Sequence, residues 1–388
     1  MTSIASLEIS PNVAEDSTTT IRLPVVNRGV ENKGVLSFTL ENTNVSIANA
    51  LRRVLLSDIE SVVFDTDNDK INIYKNTTRF HNEILKQRLG CIPIHIKDID
   101  GIENLIFELN VNNESDSIQY VTSKDFTIKD IATDKYLTTE QTKLILPPNN
   151  ITKEYVLFTR LRPKISNDIL GETISLKVKL KTATAKQDGM YNVVSTCAYG
   201  NTEDKVEQHN QWQSISDDLE SKGLNGDRIE YERKNWYTLQ AKRHFIQDSF
   251  DFKVESVGVY TNVELINMGC DNIIKRLDKI KEKCDKEQLK LNKKSTAMEN
   301  AVDVILQGED YTIGKVIEFV LHEQYYKKDQ ALSYVGFIKK HPHDDYSIIR
   351  MAFSSEGDTS LTDVNVYSMV KFSCDVGIKL FANIKEYF

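Results

Sequence analysis

Apolar residues recur at helical spacing in one stretch near the start of the chain. Ile47, Ala50, Leu51, Val54 and Leu55 occupy positions i, i+3, i+4, i+7 and i+8 and form a single stripe. Before them Leu36, Phe38 and Leu40 alternate with Ser37 and Thr39, the pattern of a strand buried on one face. Asn44 or Ser46 is placed to cap the helix. The same unit recurs near the other end. Val302, Val304 and Leu306 alternate, Gly308-Glu309-Asp310 turns, and Ile313, Val316, Ile317, Val320 and Leu321 repeat the stripe. The two copies align without a gap, Leu40 on Leu306, Asn44 on Asp310 and Ile47 on Ile313. Ala48 and Gly314 put a small residue at the same place in each, where a bulky side chain would hold two helices apart.

Each unit is followed by a strand and a long helix. Phe250, Phe252 and Val254 alternate before the helical run Val263, Ile266, Ile273, Leu277 and Ile280. A strand at Ile348 to Phe353 precedes a helix with Val366, Met369, Val370, Val376, Leu380 and Ile384 on one face. The pattern predicts an α+β fold in which two strand/helix units pack with approximate twofold symmetry inside one chain. Between the first unit and its long helix, short alternating runs such as Leu105 to Leu109, Tyr155 to Phe158 and Ile174 to Val178 predict a mostly β insert. His81 to Leu89 predicts a short helix closed by Gly90 and stopped by Pro93. The expected organisation is a polar N-terminal extension over 1–32, a first half over 33–66 and 186–285, an insert over 67–185, a linker over 286–298 and a second half over 299–388. Asn201 to Asn235 is weakly patterned and is expected to be a long polar excursion.

Composition narrows the class. Of 388 residues 40% are hydrophobic and 27% charged, as in a soluble globular protein. No apolar run approaches the ~18 residues of a membrane span. Met1 to Asp16 lacks the basic start and apolar middle of a secretory signal, so an intracellular, soluble protein is expected. A net charge of −8 and a pI near 5.5 argue against a protein whose main task is gripping phosphate backbones. The Lys-rich run Lys275 to Lys294 is a candidate nucleic-acid stripe, but it interleaves Asp and Glu and has no aromatic residue for base stacking. A mixed-charge, solvated helix end is the better reading. The rival function is a free-standing DNA-binding transcription regulator.

Candidate chemistry is sparse. The five cysteines are scattered, and none has metal-knuckle or redox spacing. Asp65 to Lys70 places carboxylates at alternate positions but has Lys70 for the turn glycine and Asn76 for the final Glu of a calcium loop. His341-Pro342-His343-Asp344-Asp345 offers two imidazoles and two carboxylates. Pro342 keeps the imidazoles from lying one helical turn apart and no third ligand is evident, so a connecting loop is favoured over a metal hydrolase.

Asn49-Ala50-Leu51-Arg52-Arg53-Val54-Leu55-Leu56 with Ile59-Glu60-Ser61 resembles the signature helix of the α-type assembly subunits of multisubunit RNA polymerase: the bacterial α, archaeal D and third eukaryotic subunits. Further segments resemble that family in the same order. They are Arg88-Leu89-Gly90-Cys91-Ile92-Pro93, Ser123-Lys124-Asp125 and Val254-Glu255-Ser256-Val257-Gly258. Glu309-Asp310-Tyr311-Thr312-Ile313-Gly314-Lys315 and Gly336 to Pro342 resemble the small partner subunit, archaeal L or the eleventh eukaryotic subunit. The arrangement is similar to the fused form encoded by large nucleocytoplasmic DNA viruses. Two departures stand out. Asp98 to Val121 holds no cysteine where relatives carry zinc or iron–sulfur ligands, and Lys315 replaces the partner family's Asn.

The resemblance implies a non-catalytic scaffold with no cofactor of its own, magnesium belonging to the largest polymerase subunit. Its intramolecular dimer interface would be Ile47, Ala50, Leu51, Val54 and Leu55 against Ile313, Val316, Ile317, Val320 and Leu321. Asn49, Arg52, Arg53, Arg88, Gly90 and Pro93 would face a large subunit, the guanidinium forks suiting carboxylates or carbonyls. The implied partners are the two largest subunits and small polymerase subunits, with no sequence-specific nucleic-acid contact and no membrane. The implied location is the cytoplasm of an infected host or the virion if the source is viral, and otherwise the nucleus.

Overall fold

In the computed structural model, which describes residues 21–67, 70–166, 168, 170–293, 298–354 and 361–388, both strand–helix units form. The first comprises β1 (Val25–Arg28), β2 (Val35–Glu41) and α1 (Val45–Ser57). β1 lies within the polar N-terminal stretch and pairs antiparallel with β2. Along β2 the residues Leu36, Phe38 and Leu40 are buried, and their neighbours are only partly so. The period of two therefore sets which face meets the helix.

The insert follows as β3 (Glu60–Phe64), β4 (Ile71–Asn76), α2 (Asn82–Gly90), β5 (Leu105–Asn112), β6 (Gln119–Thr122), β7 (Thr127–Asp130), β8 (Lys135–Tyr136), α3 (Thr139–Ile145), β9 (Leu157–Leu161) and β10 (Thr173–Thr184). The twelve-residue β10 is its spine, pairing antiparallel with β3, β4 and β5, while β6 and β9 form a separate ribbon. The insert has its own core, in which Phe64 meets Phe107 edge-on at 5.0 Å and Phe126 meets Phe158 at 5.9 Å. Gly90 does not close α2 by a left-handed turn. It is the last helical residue, and a Cβ there would overlap the Met190 thioether.

The chain then returns through β11 (Val194–Glu203), α4 (Lys205–Ser221), α5 (Gly226–Leu239), β12 (Phe245–Ser256) and α6 (Asn262–Asp285). The expected excursion is thus a helical hairpin. Asp204 caps α4 by accepting from the Val206 and Glu207 amides, and Asn225 caps α5. Trp212 packs 6.0 Å from Trp236, but only Gln208 and Trp212 of α4 are buried and none of α5. With so narrow an apolar face, the periodicity was too weak to reveal either helix.

The remainder comprises β13 (Lys290–Asn292), β14 (Ala301–Gln307), α7 (Tyr311–Leu321), a π-helical segment at His322–Lys328, β15 (Leu332–Ile338), β16 (Tyr346–Phe353) and α8 (Asp363–Glu386). β13 falls inside the stretch expected as a linker. Across β14 and β16 the buried Asp303 carboxylate takes both arms of the Arg350 fork, at 2.6 and 2.8 Å.

Two antiparallel sheets of the same design result, ordered β1-β2-β12-β11 and β13-β14-β16-β15. In each, an edge strand lies beside the strand before the short helix. Next comes the strand before the long helix, and last the opposite edge. The repeat therefore includes an edge strand, β1 or β13, beyond the units visible in the pattern. The described chain divides into two compact units, one of Pro24–Arg276 with Ile378–Phe388 and one built on Leu277–Gly377. The division falls within α6 and within α8.

Candidate functional site

The two short helices are built alike. At α1 the Asn44 side chain accepts from the Ser46 amide at 2.9 Å, and at α7 the Asp310 side chain accepts from the Thr312 amide at 3.0 Å. Aligned residues thus satisfy the same orphan donor. Ile47, Ala50, Leu51, Val54 and Leu55 are buried, as are Ile313, Val316, Ile317, Val320 and Leu321. Burying each of the large side chains stabilises the fold by about 1.5–3 kcal/mol, so these stripes are principal determinants of stability.

Within its unit, α1 lies on β11 and β12, and Leu55 approaches Gly269 of α6 closely enough that a Cβ there would stand 3.0 Å from it. Within the other unit, α7 lies on β15 and β16, and Val316 approaches Gly377 of α8. The small residue at Gly314 has a different reason from the one expected. Its missing Cβ makes room for the ring of Phe337 on β15 in the same half.

The long helices carry a reciprocal pattern that the sequence reading missed. In the first unit Lys385 of α8 donates to both carboxylate oxygens of Asp271 on α6, at 2.7 and 2.8 Å. In the second unit Lys281 of α6 pairs with Asp375 of α8 at 2.5 Å, and Lys371 pairs with Asp285. The chain ends in the first unit, where the ring of Phe388 packs edge-on against Phe38 at 5.0 Å. Each helix has Cys-Asp followed ten residues later by Lys: Cys270-Asp271 with Lys281, and Cys374-Asp375 with Lys385. The aspartate of one copy meets the lysine of the other in both senses.

The expected docking residues fall in two groups, both in the first unit. On α1 the Arg52 Nε donates to Asn49 Oδ1 at 3.0 Å, and the adjacent Arg53 is half-buried. On the insert Arg88 donates to the main-chain carbonyls of Phe158 at 2.6 Å and Leu157 at 3.0 Å and lies over the Phe80 ring, tying α2 to β9. Gly90 and Pro93 line a small cleft with Met190, Asn192 and Val257. The insert is fastened to the first half by Lys97–Glu264 at 2.7 Å and by the Tyr260 hydroxyl on the Glu60 carbonyl at 3.3 Å. The hydrogen bond from Lys97 holds the Glu264 carboxyl below its usual range.

The positions in α7 that align with Asn49 and Arg52 are Lys315 and Glu318, joined at 2.5 Å. The second oxygen of Glu318 accepts from the Phe337 amide of β15 at 3.1 Å.

The acidic loop and the histidine cluster singled out in the sequence are bonded internally. Asp65 and Asp67 pair with Lys181 at 3.2 and 2.9 Å; Asn68 and Asp69 of that loop lie outside the described residues. The His343 amide donates to His341 Nδ1 at 3.2 Å and the His341 amide to Asp344 at 3.1 Å, bonds of a connecting loop. Among the described residues no group of three or more His, Cys, Asp or Glu could hold a metal ion. In the Lys-rich run Lys281, Lys286 and Lys293 each have a carboxylate partner. Burial pushes the Cys197, Cys270 and Cys284 thiols up to about 12, which suits structural rather than reactive cysteines. No helix among the described residues is long and apolar enough to cross a membrane.

The family described as RNA polymerase Rpb3/Rpb11 dimerisation domain matches residues 37–277. A conjugation stage-specific protein of Tetrahymena thermophila is 24% identical over 289 residues, 63% of this chain and 90% of the relative. DNA-directed RNA polymerase II subunit RPB3 of Schizosaccharomyces pombe is 24% identical over 263 residues, 66% of this chain and 86% of that protein. The rpac1 subunit of DNA-directed RNA polymerases I and III of Dictyostelium discoideum is 33% identical over 99 residues, 23% of this chain and 28% of its own length.

Proposed function

The chain belongs to the RNA polymerase Rpb3/Rpb11 dimerisation-domain family, and from that premise we propose that it is a non-catalytic assembly subunit of a multisubunit DNA-directed RNA polymerase. Its two halves act as an intramolecular equivalent of a subunit dimer, with α1 and α7 at the interface, and present a platform on which the two largest subunits dock. The observation that carries this reading is reciprocity. Sheets of one design, helices with one cap geometry, and the pairs Asp271–Lys385 and Lys281–Asp375 recur in both halves.

A tether adds to this logic, since a short flexible linker holds two modules at an effective concentration of order mM. Asn49, Arg52 and Arg53 offer the docking contacts, while Arg88, Gly90 and Pro93 hold the adjoining face of the insert in shape. The chain binds no cofactor itself, and magnesium belongs to the largest partner. The fused arrangement suits a subunit of a large nucleocytoplasmic DNA virus, working in the infected cytoplasm or the virion. Affinity purification from the native source tests the reading. Two very large subunits should be recovered in equal amount with the chain, and recovery as a lone monomer would refute it.

A further inference from the structure

β11 and β15 hold the same place in their sheets, each at an edge beside the strand that leads into a long helix. Their outer edges are treated differently. Along β15 the edge is closed from within. The Phe337 amide donates to Glu318, Lys315 pairs with that carboxylate, and the Tyr334 hydroxyl lies over Gly336. A filled donor and a covering side chain are ways proteins keep an edge strand from recruiting another chain.

β11 lacks such a guard. Between its irregularities at Val194/Thr196 and Asn201/Glu203 runs a regular stretch, Thr196 to Asn201, paired to β12. Thr196, Ala198, Gly200 and Asn201 are exposed, and a Cβ on Gly200 would meet nothing within 4 Å. Among the described residues, no main-chain hydrogen bond of this stretch reaches beyond β12. The helix above differs in the matching way. Where α7 has Glu318, α1 has Arg52. Arg52 uses Nε on Asn49, and among the described residues its terminal nitrogens have no partner. It lies near enough to the strand for its charge to act on the Cys197 thiol. One half therefore seals its edge with a carboxylate, and the other leaves its edge open beside an unfilled guanidinium fork.

We propose that the outer edge of β11 from Thr196 to Asn201 is a strand-acceptor site for an extended, carboxylate-bearing segment of a partner protein, whose main chain pairs with the strand and whose carboxylate docks on Arg52. Main-chain pairing supplies affinity in such an addition, and the side-chain contact supplies selectivity. A second copy of β11 is a poor occupant, because Ser195 to Asn201 contains no carboxylate for Arg52. The site rests on the assembly reading and adds to it the manner in which one partner is gripped.

Amide hydrogen exchange tests it, comparing the purified chain with the complex isolated from the native source. Alternate amides of Thr196 to Asn201 should exchange at least about tenfold more slowly in the complex, with β15 unchanged. Arg52→Glu and Arg52→Gln, each checked for an unaltered thermal midpoint, should lose that protection, and Arg52→Lys should keep part of it. Glu318→Ala should leave it intact. Equal exchange of β11 in the free chain and in a complete complex overturns the site while sparing the assembly reading. Protection in the free chain accompanied by dimerisation overturns it in favour of self-pairing. A chain that brings down no large partner refutes the assembly reading and the site together.

Discussion

Asp271 on α6 accepts both of its hydrogen bonds from the ammonium of Lys385, the fourth residue from the end of the chain, at 2.7 and 2.8 Å. The counterpart residues Asp375 and Lys281 make the same contact with the helices exchanged. A single ion pair between long helices says little about architecture. Here two recur at aligned positions of the long helices, each an aspartate after a cysteine and a lysine ten residues on. They also bring the C-terminal helix end, with Phe388 on Phe38, into the unit of the first half.

These pairs are half-exposed and contribute modestly to stability. The side chains of Asp271 and Lys385 are each 42% exposed, and those of Lys281 and Asp375 are 32% and 38% exposed. Lys281→Ala and Lys385→Ala should each lower stability by about 0.2–1 kcal/mol in urea titration, with effects that add because the sites are separate. A loss several times larger in either variant would mean that the pairs carry the fold.

Gly314 makes a sharper test of packing. Gly314→Ala puts a methyl into the space of the Phe337 ring, and the ring must move. The expected cost is about 1–3 kcal/mol, the range for overpacking. Phe337→Leu alone should also destabilise, while the double variant should recover much of the Gly314→Ala loss, read as a coupling energy in a double-mutant cycle. Strict additivity would show that the ring is not the obstacle.

His95 predicts how stability responds to acid. It follows Ile94 of the insert, its amide donating to the Ile145 carbonyl at 2.9 Å, beside Gly258. Burial, aided by the Lys97 charge, lowers its pKa from the usual 6.5. The unfolded chain therefore binds a proton at a higher pH than the folded one, and stability falls as pH drops below about 6.5 until the folded-state value is passed. Thermal melts between pH 7.5 and 5 should show that decline, and His95→Gln should flatten it. An unchanged slope in the variant would assign the effect elsewhere.

The elements that were legible in the sequence are those whose apolar face is wide or strictly periodic. α1, α7, β2, β12 and the two long helices bury regular stripes that period locates, while β14 and β16 are buried on both faces over most of their length. β1 and β13 escaped because edge strands of four and three residues bury too little to alternate. The α4–α5 hairpin escaped because it is held by caps and a few aromatics rather than by a stripe. For the candidate site, the buried stripes of α1 and α7 could be read directly, whereas the Asp271–Lys385 and Asp375–Lys281 contacts join residues far apart in the chain. Only an alignment of the two long helices, with their shared Cys-Asp step, could have suggested them. Arg88 shows the limit of motif reading, since nothing in its spacing reveals that its fork is engaged by the main chain of β9.

The central claim is that the two halves clasp each other within one molecule, and severing the tether tests it most directly. A protease site placed at Glu287-Gln288, between the end of α6 and β13, and cleaved in the folded protein would leave two fragments joined only by contacts. If the claim holds, they co-elute as a one-to-one pair at nanomolar concentration and separate only in denaturant. Fragments that part on dilution without denaturant would contradict it.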